Sequence, residues 1–444
     1  MNSVKDKWIA TTKGFKSLEG VFQEASTLDL SGRPDHVVSN MGLLLAIVQD
    51  ACSWKDEEEW LGRKDSYIAD VLVYLEKHID KFSLEGGFLQ DPSLVGKEWH
   101  SVDYLDISKM KGTQVQTFDS MKSEGVVDPS KVAQDLVSYQ GYSPSETKGW
   151  RLGQVGPRQG ALGYLHSFLC GKSLKDSLHM SLLLDGEAES SYPGGKGTAP
   201  WISSSGVNRA YLGSLAPLSR RILIKDDVFI QENGNPYEGL APHSVTIKGR
   251  AQEKNLFLWT DPSKKPWREL TAMFSFISGG DGCLLLSKAL KRVYSAYPTV
   301  GVRCVGVQCA IKTGAQQFTG SSAGVDSVVF LPREALGSFW YESFTSSLAA
   351  LDNVCSMLGK AVFSYWSYLK CDKKASGGYS TKARNSWWAV MEKEAARVVA
   401  GEDIPKEQLM KTALEIFQGH CPTVTHRGLM AYLKAIKKLQ PEEK

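Results

Sequence analysis

The sequence has no hydrophobic run long enough to cross a membrane. No window of its 444 residues reaches the roughly 18 consecutive apolar residues of a transmembrane helix. The residues that open the sequence also lack the apolar stretch of a secretory signal peptide. These absences argue against an integral membrane protein and predict a cytoplasmic location, with no membrane among the partners.

Motifs for metal binding and for catalysis are also missing. The eight cysteines form no Cys-x-x-Cys pair and do not combine with histidine at the spacing of a zinc site. The eight histidines form no His-x-x-x-His pair, and no Gly-x-Ser-x-Gly motif marks a nucleophilic serine. We therefore predict no catalytic residue, no metal, no cofactor and no enzyme activity. A metal-dependent nuclease is the remaining enzyme hypothesis, because carboxylates from distant positions can meet in the folded chain.

A strong excess of one charge is absent as well. The formal net charge is +3, with 52 basic and 49 acidic residues. A balance this close to neutral gives no long-range field that would attract nucleic acid. Any site for a polyanion must therefore come from a local group of basic residues.

Length and pattern predict an α+β protein of two domains. A chain of 444 residues is too long for a single hydrophobic core. We predict a large mixed N-terminal domain at residues 1–332, with irregular loops and short β-strands, and a C-terminal four-helix bundle at residues 333–444. Short runs of β-branched and aromatic residues predict the strands of the first domain. These strands are residues 221–224, 228–230, 244–248, 255–259, 300–311 and 325–331, the last two being partners.

The bundle prediction depends on apolar residues spaced by three and four positions from Phe344 to Leu369. A basic turn is expected at residues 371–379, and further helices follow from about 380, 403 and 420. Short links between four helices favour an antiparallel bundle. Its polar faces carry many lysines, which is typical either of a solvated helix surface or of contact with a polyanion.

A glycine-rich stretch, Gly149-Trp-Arg-Leu-Gly-Gln-Val-Gly-Pro-Arg-Gln-Gly160, precedes a strand-like run and a helix. Glycine has no side chain to hold another molecule away from the backbone, and the two arginines add charge. The stretch lacks the Gly-Lys-Ser/Thr ending of a phosphate-binding loop and the spacing of a dinucleotide-binding loop. It is either an ordinary surface loop or a contact for nucleic acid.

Two amide-rich turns and one isolated aromatic residue are further candidates. Residues 231–237 carry an Asn-Gly turn signal, and residues 312–324 form the predicted tip of a hairpin that contains Gln316 and Gln317. Both are either solvated turns or groups that present amides to a partner. Phe118 lies in a long polar loop at residues 91–126, where it either enters the core or docks on a partner.

Several of these motifs occur in the order found in one known family. Asp6-Lys-Trp-Ile9, Gly87-Phe-Leu-Gln90, Gly239-Leu-Ala-Pro-His243 and Trp267-Arg-Glu-Leu270 accompany the glycine stretch, Phe118 and the Gln316-Gln317 pair. In this order and at this total length, the chain resembles the CasA family, the large subunit of the type I-E CRISPR surveillance complex Cascade.

The resemblance implies a subunit without catalysis of its own that recognises DNA. Guide RNA reads the target by base pairing, while the subunit reads a short flanking motif from the minor groove, whose pattern of donors and acceptors is degenerate. A glutamine wedge then opens the duplex, and the basic bundle holds a separated strand. The residues implied in DNA contact are Gly149, Arg151, Gly153, Gln154, Gly156, Arg158, Gln231, Asn233, Asn235, Gln316 and Gln317, and Phe118 is implied in contact with guide RNA or a partner.

The resemblance also implies binding partners, and this sequence differs from the family pattern at two points. The partners are double-stranded target DNA, the guide-RNA complex, the backbone, small and guide-end subunits of Cascade, and a recruited helicase-nuclease. The family's minor-groove lysine falls near residues 231–235, where this sequence has amides instead. The zinc motifs of some members are absent. A structural scaffold of a ribonucleoprotein remains the alternative function.

Overall fold

The computed structural model describes the chain apart from residues 86, 96–98, 108–127, 143–162, 204–208, 235–240, 249–254, 313–314, 319–323 and 440–444. The chain divides into two compact units, Met1–Phe330 and Leu331–Lys444. None of the helices described combines the length and the hydrophobicity that a membrane span needs. The mixed α+β class predicted from the sequence is confirmed.

The N-terminal unit has short helices around one long central helix. In chain order the helices are α1 (Leu18–Gln23), α2 (Pro34–Ala51), α3 (Glu57–Gly62), α4 (Tyr67–Lys77), α5 (Pro129–Tyr142), α6 (Leu174–Met180), α7 (Asp185–Ser191), α8 (Tyr211–Leu215), α9 (Leu270–Met273) and α10 (Leu284–Ala296).

The strands of this unit are short and form several small sheets. In chain order they are β1 (Ile9–Thr11), β2 (Gly14–Lys16), β3 (His100–Ser101), β4 (His166–Cys170), β5 (Arg220–Lys225), β6 (Val228–Asn233), β7 (Val245–Lys248), β8 (Asn255–Phe257), β9 (Gly282–Cys283), β10 (Val300–Val307), β11 (Cys309–Lys312), β12 (Ala315–Phe318) and β13 (Gly324–Leu331). The sheets have the strand orders β1-β2, β13-β10-β4, β11-β12, β3-β6-β5 and β8-β7-β9.

Helix α2 is the centre of the N-terminal core. Every residue from Asp35 to Gln49 is buried. A helix that is buried on all sides must be surrounded by other elements. Accordingly, α2 packs against α4, α5, α8 and β10. Pro34 occupies the first turn, where its missing N–H leaves no hydrogen bond unmade.

Gln140 near the end of α5 joins three parts of this core. Its side chain is 1% exposed, and its amide nitrogen donates to the carbonyl oxygens of Leu89 and Arg220, each at 3.0 Å. Its amide oxygen accepts from the backbone nitrogen of Arg220, also at 3.0 Å. The Gly87-Phe-Leu-Gln90 motif is thereby fixed against α5 and β5, with Leu89 in the left-handed region at φ 54°.

The C-terminal unit is helical, as predicted. Its helices are α11 (Ser338–Tyr368), α12 (Lys373–Met391), α13 (Ala395–Val399), α14 (Lys406–His420) and α15 (His426–Ile436). Helix α11 packs against α12, α14 and α15, and α12 packs against α14. The turn predicted at residues 371–379 is wrong, because α12 begins at Lys373. Asp372 caps this helix by accepting from the backbone nitrogen of Ala375 at 2.8 Å, and the helix continues through Gly377 and Gly378.

Candidate nucleic-acid interface

One end of the β13-β10-β4 sheet joins two of the candidate segments. Strands β4 and β10 are antiparallel, with His166 opposite Val305 and Cys170 opposite Gly301. The start of β4 therefore lies beside the end of β10. Residues 143–162 lead into β4, and the β11-β12 hairpin follows β10 directly. Both segments thus leave the same end of one sheet, which we call the sheet rim and define by Tyr164, Gly306 and Gly324.

Backbone packing at the sheet rim is close enough to require glycine. A Cβ atom on Gly306 would lie 2.1 Å from the Thr260 hydroxyl oxygen and 2.8 Å from the Tyr164 carbonyl oxygen. A Cβ atom on Gly324 would lie 2.6 Å from Pro34 Cγ and 3.1 Å from the Gly306 carbonyl oxygen. Contacts this short cannot be relieved by a small side-chain movement where the neighbour is backbone. The rim therefore brings β4, β10, β13 and the first turn of α2 together.

A buried charge cluster connects this first turn of α2 to the segment that contains Phe118. Arg33 donates to Asp35 Oδ2 at 2.7 Å and to Asp106, which lies two residues before the long segment at residues 108–127. Lys131, which follows that segment, lies 3.4 Å from Asp106 Oδ2 and also pairs with Asp135. Both ends of the segment are thus joined by ion pairs at the base of α2 and α5.

The charges of this cluster stabilise one another in a region with little water. Burial alone would raise the pKa of Asp35, but His36, Arg33 and the Ser138 hydroxyl outweigh it and hold that pKa below its usual range. Burial would likewise lower the pKa of Arg33, and hydrogen bonding and attraction from its aspartates raise it instead. The aspartates of the cluster are buried, so removing Arg33 would leave an uncompensated buried charge.

Two buried histidines lie beneath the sheet rim. The rings of His166 and His243 are 5.1 Å apart, and both side chains are 0% exposed. His243 stacks on Phe168 at 4.4 Å, and neither of its ring nitrogens has a hydrogen-bond partner. Burial lowers the pKa of His166 to about 3 and that of His243 well below its usual value, the latter helped by His166. Both rings are therefore neutral at physiological pH.

The residues predicted in the glycine stretch lie outside the described part of the chain. They are Gly149, Arg151, Gly153, Gln154, Gly156 and Arg158, and the same holds for Phe118 and Asn235. The described residues beside them are well fixed. Tyr142, which precedes the glycine stretch, is 0% exposed, and Tyr164, which follows it, stacks on Phe257 at a ring separation of 3.8 Å.

The residues predicted as an amide turn after β6 are in part strand. Strand β6 continues to Asn233, whose backbone pairs with that of Arg220, and Gln231 pairs with Ile222. The amide oxygen of Gln231 accepts from the Tyr139 hydroxyl at 2.6 Å, and its buried amide nitrogen has no partner. These residues belong to the β3-β6-β5 sheet and not to the sheet of the rim.

Gln316 and Gln317 belong to a small separate hairpin. The sequence predicted one strand at residues 300–311 with the glutamines in the tip beyond it. Instead β10 ends at Val307 and β11 begins anew at Cys309. Within the hairpin, Ile311 pairs with Gln316 and Ala310 with Gln317, so the glutamines lie on its returning strand. The hairpin continues directly from the sheet rim.

Among the described residues, no three histidine, cysteine, aspartate or glutamate side chains come together in a group that could hold a metal ion. Of the cysteines in that part of the chain, Cys283 and Cys304 are fully buried. Burial raises the pKa of the Cys283 thiol to about 12, which makes it a poor nucleophile.

The fold and the rim define a large two-unit α+β protein whose N-terminal unit holds several chain segments at one sheet end. Known structures share this fold. Thermobifida fusca Cse1 has 17% sequence identity and a TM-score of 0.76, with 99% of this chain and 98% of that chain covered. Thermus thermophilus CasA (Cse1) has 17% identity and a TM-score of 0.73 at the same coverage. A chain of a CRISPR RNA-guided surveillance complex has 15% identity and a TM-score of 0.73, with 99% of each chain covered.

The sequence itself identifies the family. Residues 2–416 match the family described as CRISPR-associated protein Cse1, whereas no curated protein gives a significant match. Because the family match spans nearly the whole chain, this protein belongs to the CRISPR-associated Cse1 family. The resemblance to CasA noted from the motifs is thereby confirmed.

Proposed function

We propose that this chain is the non-catalytic DNA-recognition subunit of a type I-E CRISPR surveillance complex. In this role it reads a short motif that flanks the target from the minor groove, separates the adjacent base pairs, and offers a docking surface to a helicase-nuclease. The observation that carries the proposal is the common origin of the glycine stretch and the glutamine hairpin at the sheet rim, within a chain of the Cse1 family.

The division of work between the two segments follows from their chemistry. The glycines of residues 149–160 allow backbone to approach a groove, and Arg151 and Arg158 add charges that attract phosphates. Gln316 and Gln317 enter the duplex beside the motif, where separating one base step costs about a few kcal/mol. The sheet from which both segments continue is antiparallel and paired along β4 and β10, which gives the two segments a common base.

The wedge is tested by changing both glutamines in the complex reconstituted with its guide RNA. We expect Gln316→Ala with Gln317→Ala to reduce opening of the duplex more than binding of the closed duplex. Opening is followed by the permanganate reactivity of thymines beside the flanking motif. A matched control is Gln23→Ala on the exposed side of α1. An equal loss of opening and of closed-duplex binding would refute the wedge.

The arginines are tested by the salt dependence of duplex binding. Each phosphate contact that is removed lowers the slope of log affinity against log salt concentration by about 0.9. We therefore expect Arg151→Ala with Arg158→Ala to reduce the slope by up to about 1.8. Arg63→Ala, which removes an exposed ion pair with Asp70, is the control. An unchanged slope would show that neither arginine contacts a phosphate. If the affinity of the unmodified complex does not depend on the flanking sequence, a scaffold function is favoured instead.

A further inference from the structure

An exposed tryptophan, Trp259, lies at the sheet rim. The side chain of Trp259 is 40% exposed, whereas its neighbour Thr260 is 4% exposed. Trp259 forms an antiparallel bridge with Tyr164, the first aromatic residue after the glycine stretch. Thr260 in turn touches the position of Gly306, where β10 ends. Trp259 therefore lies at the sheet rim, where residues 143–162 lead into β4 and from which the β11-β12 hairpin continues.

The indole of Trp259 is fixed in position although it is exposed. The backbone nitrogen of Thr260 donates to the Gly163 carbonyl oxygen at 2.7 Å, and that of Leu165 donates to the Leu258 carbonyl oxygen at 2.8 Å. The ring packs edge-on against Tyr164 at 5.5 Å and an interplanar angle of 67°. Tyr164 is itself stacked on Phe257 at 3.8 Å. A ring that is ordered before binding loses little conformational entropy when a ligand covers it.

The two segments that the chain connects to the sheet rim have a net positive charge in sequence. Residues 143–162 contain Lys148, Arg151 and Arg158 against the single acid Glu146, and residues 309–323 contain Lys312 and no acid. Lys265, in the turn that follows Trp259, is exposed. An acidic protein partner would also suit these charges, but the combination of cations with an exposed aromatic side chain is typical of sites that bind unpaired bases.

We propose that Trp259 is a stacking surface for a nucleobase of the target DNA, at the point where the duplex is opened. This inference builds on the proposed function and adds a residue to it. An aromatic ring stacks on any base, because every base has a π face, so Trp259 contributes affinity without sequence preference. It holds a base that the glutamine hairpin has separated from its partner and so opposes closure of the duplex.

The test compares variants of Trp259 in the complete guide-RNA complex, with 2-aminopurine placed in turn at each base beside the flanking motif. We expect Trp259→Ala to lower affinity for a target duplex about tenfold and to remove the stacking quench of 2-aminopurine at one position. Trp259→Phe keeps a π face and should retain most of both signals. Trp259→Leu keeps an apolar side chain without a π face and should lose both signals. Trp99→Ala is the matched control, because Trp99 is also 40% exposed.

Several results would overturn the inference. If Trp259→Leu quenches 2-aminopurine as the unmodified chain does, or if Trp259→Ala matches Trp99→Ala in affinity, Trp259 contacts no base. If Trp259→Leu weakens assembly of the complex in the absence of DNA, the ring covers a protein partner instead. Failure of the proposed function is distinguishable, since the unmodified complex would then show no dependence on the flanking motif.

Discussion

Replacing His243 should change how the stability of the N-terminal unit depends on pH. His243, His166 and His179 are all buried, and burial lowers the pKa of each, to about 3 for His166 and about 4 for His179. His179 is neutral with both nitrogens in use, since Tyr297 and the Trp60 carbonyl are its partners at 2.9 and 2.8 Å. His243 lacks such partners, so a phenylalanine loses no hydrogen bond there.

The size of the effect follows from proton linkage. A group whose pKa is lower in the folded than in the unfolded protein destabilises the fold once the pH falls below the unfolded pKa of about 6.5. Stability is therefore complete above that pH and declines by about 1.4 kcal/mol per pH unit for each such histidine. At pH 5 the loss is about 2 kcal/mol per group, or about 6 kcal/mol for the three together, which is comparable with the whole stability of many domains.

The assay is urea unfolding of the full chain between pH 7.5 and 5. We expect His243→Phe to be neutral or stabilising at pH 7.5, because it removes unpaired polar atoms from an apolar site. Between pH 6.5 and 5 it should reduce the decline in unfolding free energy by about one third. His426→Gln is the control, because His426 is exposed. The reasoning is refuted if His243→Phe and the unmodified chain lose stability in parallel as the pH falls.

Three further changes test the packing that supports the sheet rim and the C-terminal helices. Gly306→Ala should destabilise the N-terminal unit by about 1–3 kcal/mol, since the new methyl group would overlap the Tyr164 carbonyl oxygen; an unchanged melting temperature would contradict this. Gln140→Leu should cost about 3 kcal/mol in urea unfolding because it leaves both backbone groups of Arg220 without their partner; a loss below the error of the method would show that the amide is not needed. Gly378→Ala should instead stabilise the C-terminal unit by about 0.5–1 kcal/mol, because Gly378 lies inside α12 and no atom is within 4 Å of the new Cβ. A lower unfolding free energy would contradict the helix at this position.

Local patterns in the sequence are sufficient to predict much of the helical structure. The apolar spacing of residues 38–51 is typical of a helix and matches most of α2, and Asp128 followed by proline is a helix-start signal that matches the start of α5 at Pro129. The heptad-like spacing from Phe344 predicted α11, although not its full 31 residues. Helices can be predicted in this way because the residues that determine them lie within about one helix turn of each other in the sequence.

Pairing between distant strands could not be predicted in the same way. The Asn-Gly signal suggested a turn from Gln231 onward, but pairing with β5 extends β6 to Asn233. The sheet rim depends on β4 and β10, whose paired residues are more than 130 positions apart in the chain. Trp259 was interpreted only as part of a strand, because its exposure becomes visible only when Tyr164 and Thr260 are placed beside it.

The central claim is that the glycine stretch and the glutamine hairpin meet the same short stretch of duplex DNA. The most direct measurement introduces a photoreactive amino acid at Val155 or at Thr319 and maps its crosslinks in the complete complex with target DNA. We predict that both positions crosslink to base pairs within one helical turn of the flanking motif, while the exposed position Val73 on α4 does not. Crosslinks from Val155 and Thr319 that reach only protein or guide RNA would contradict the account.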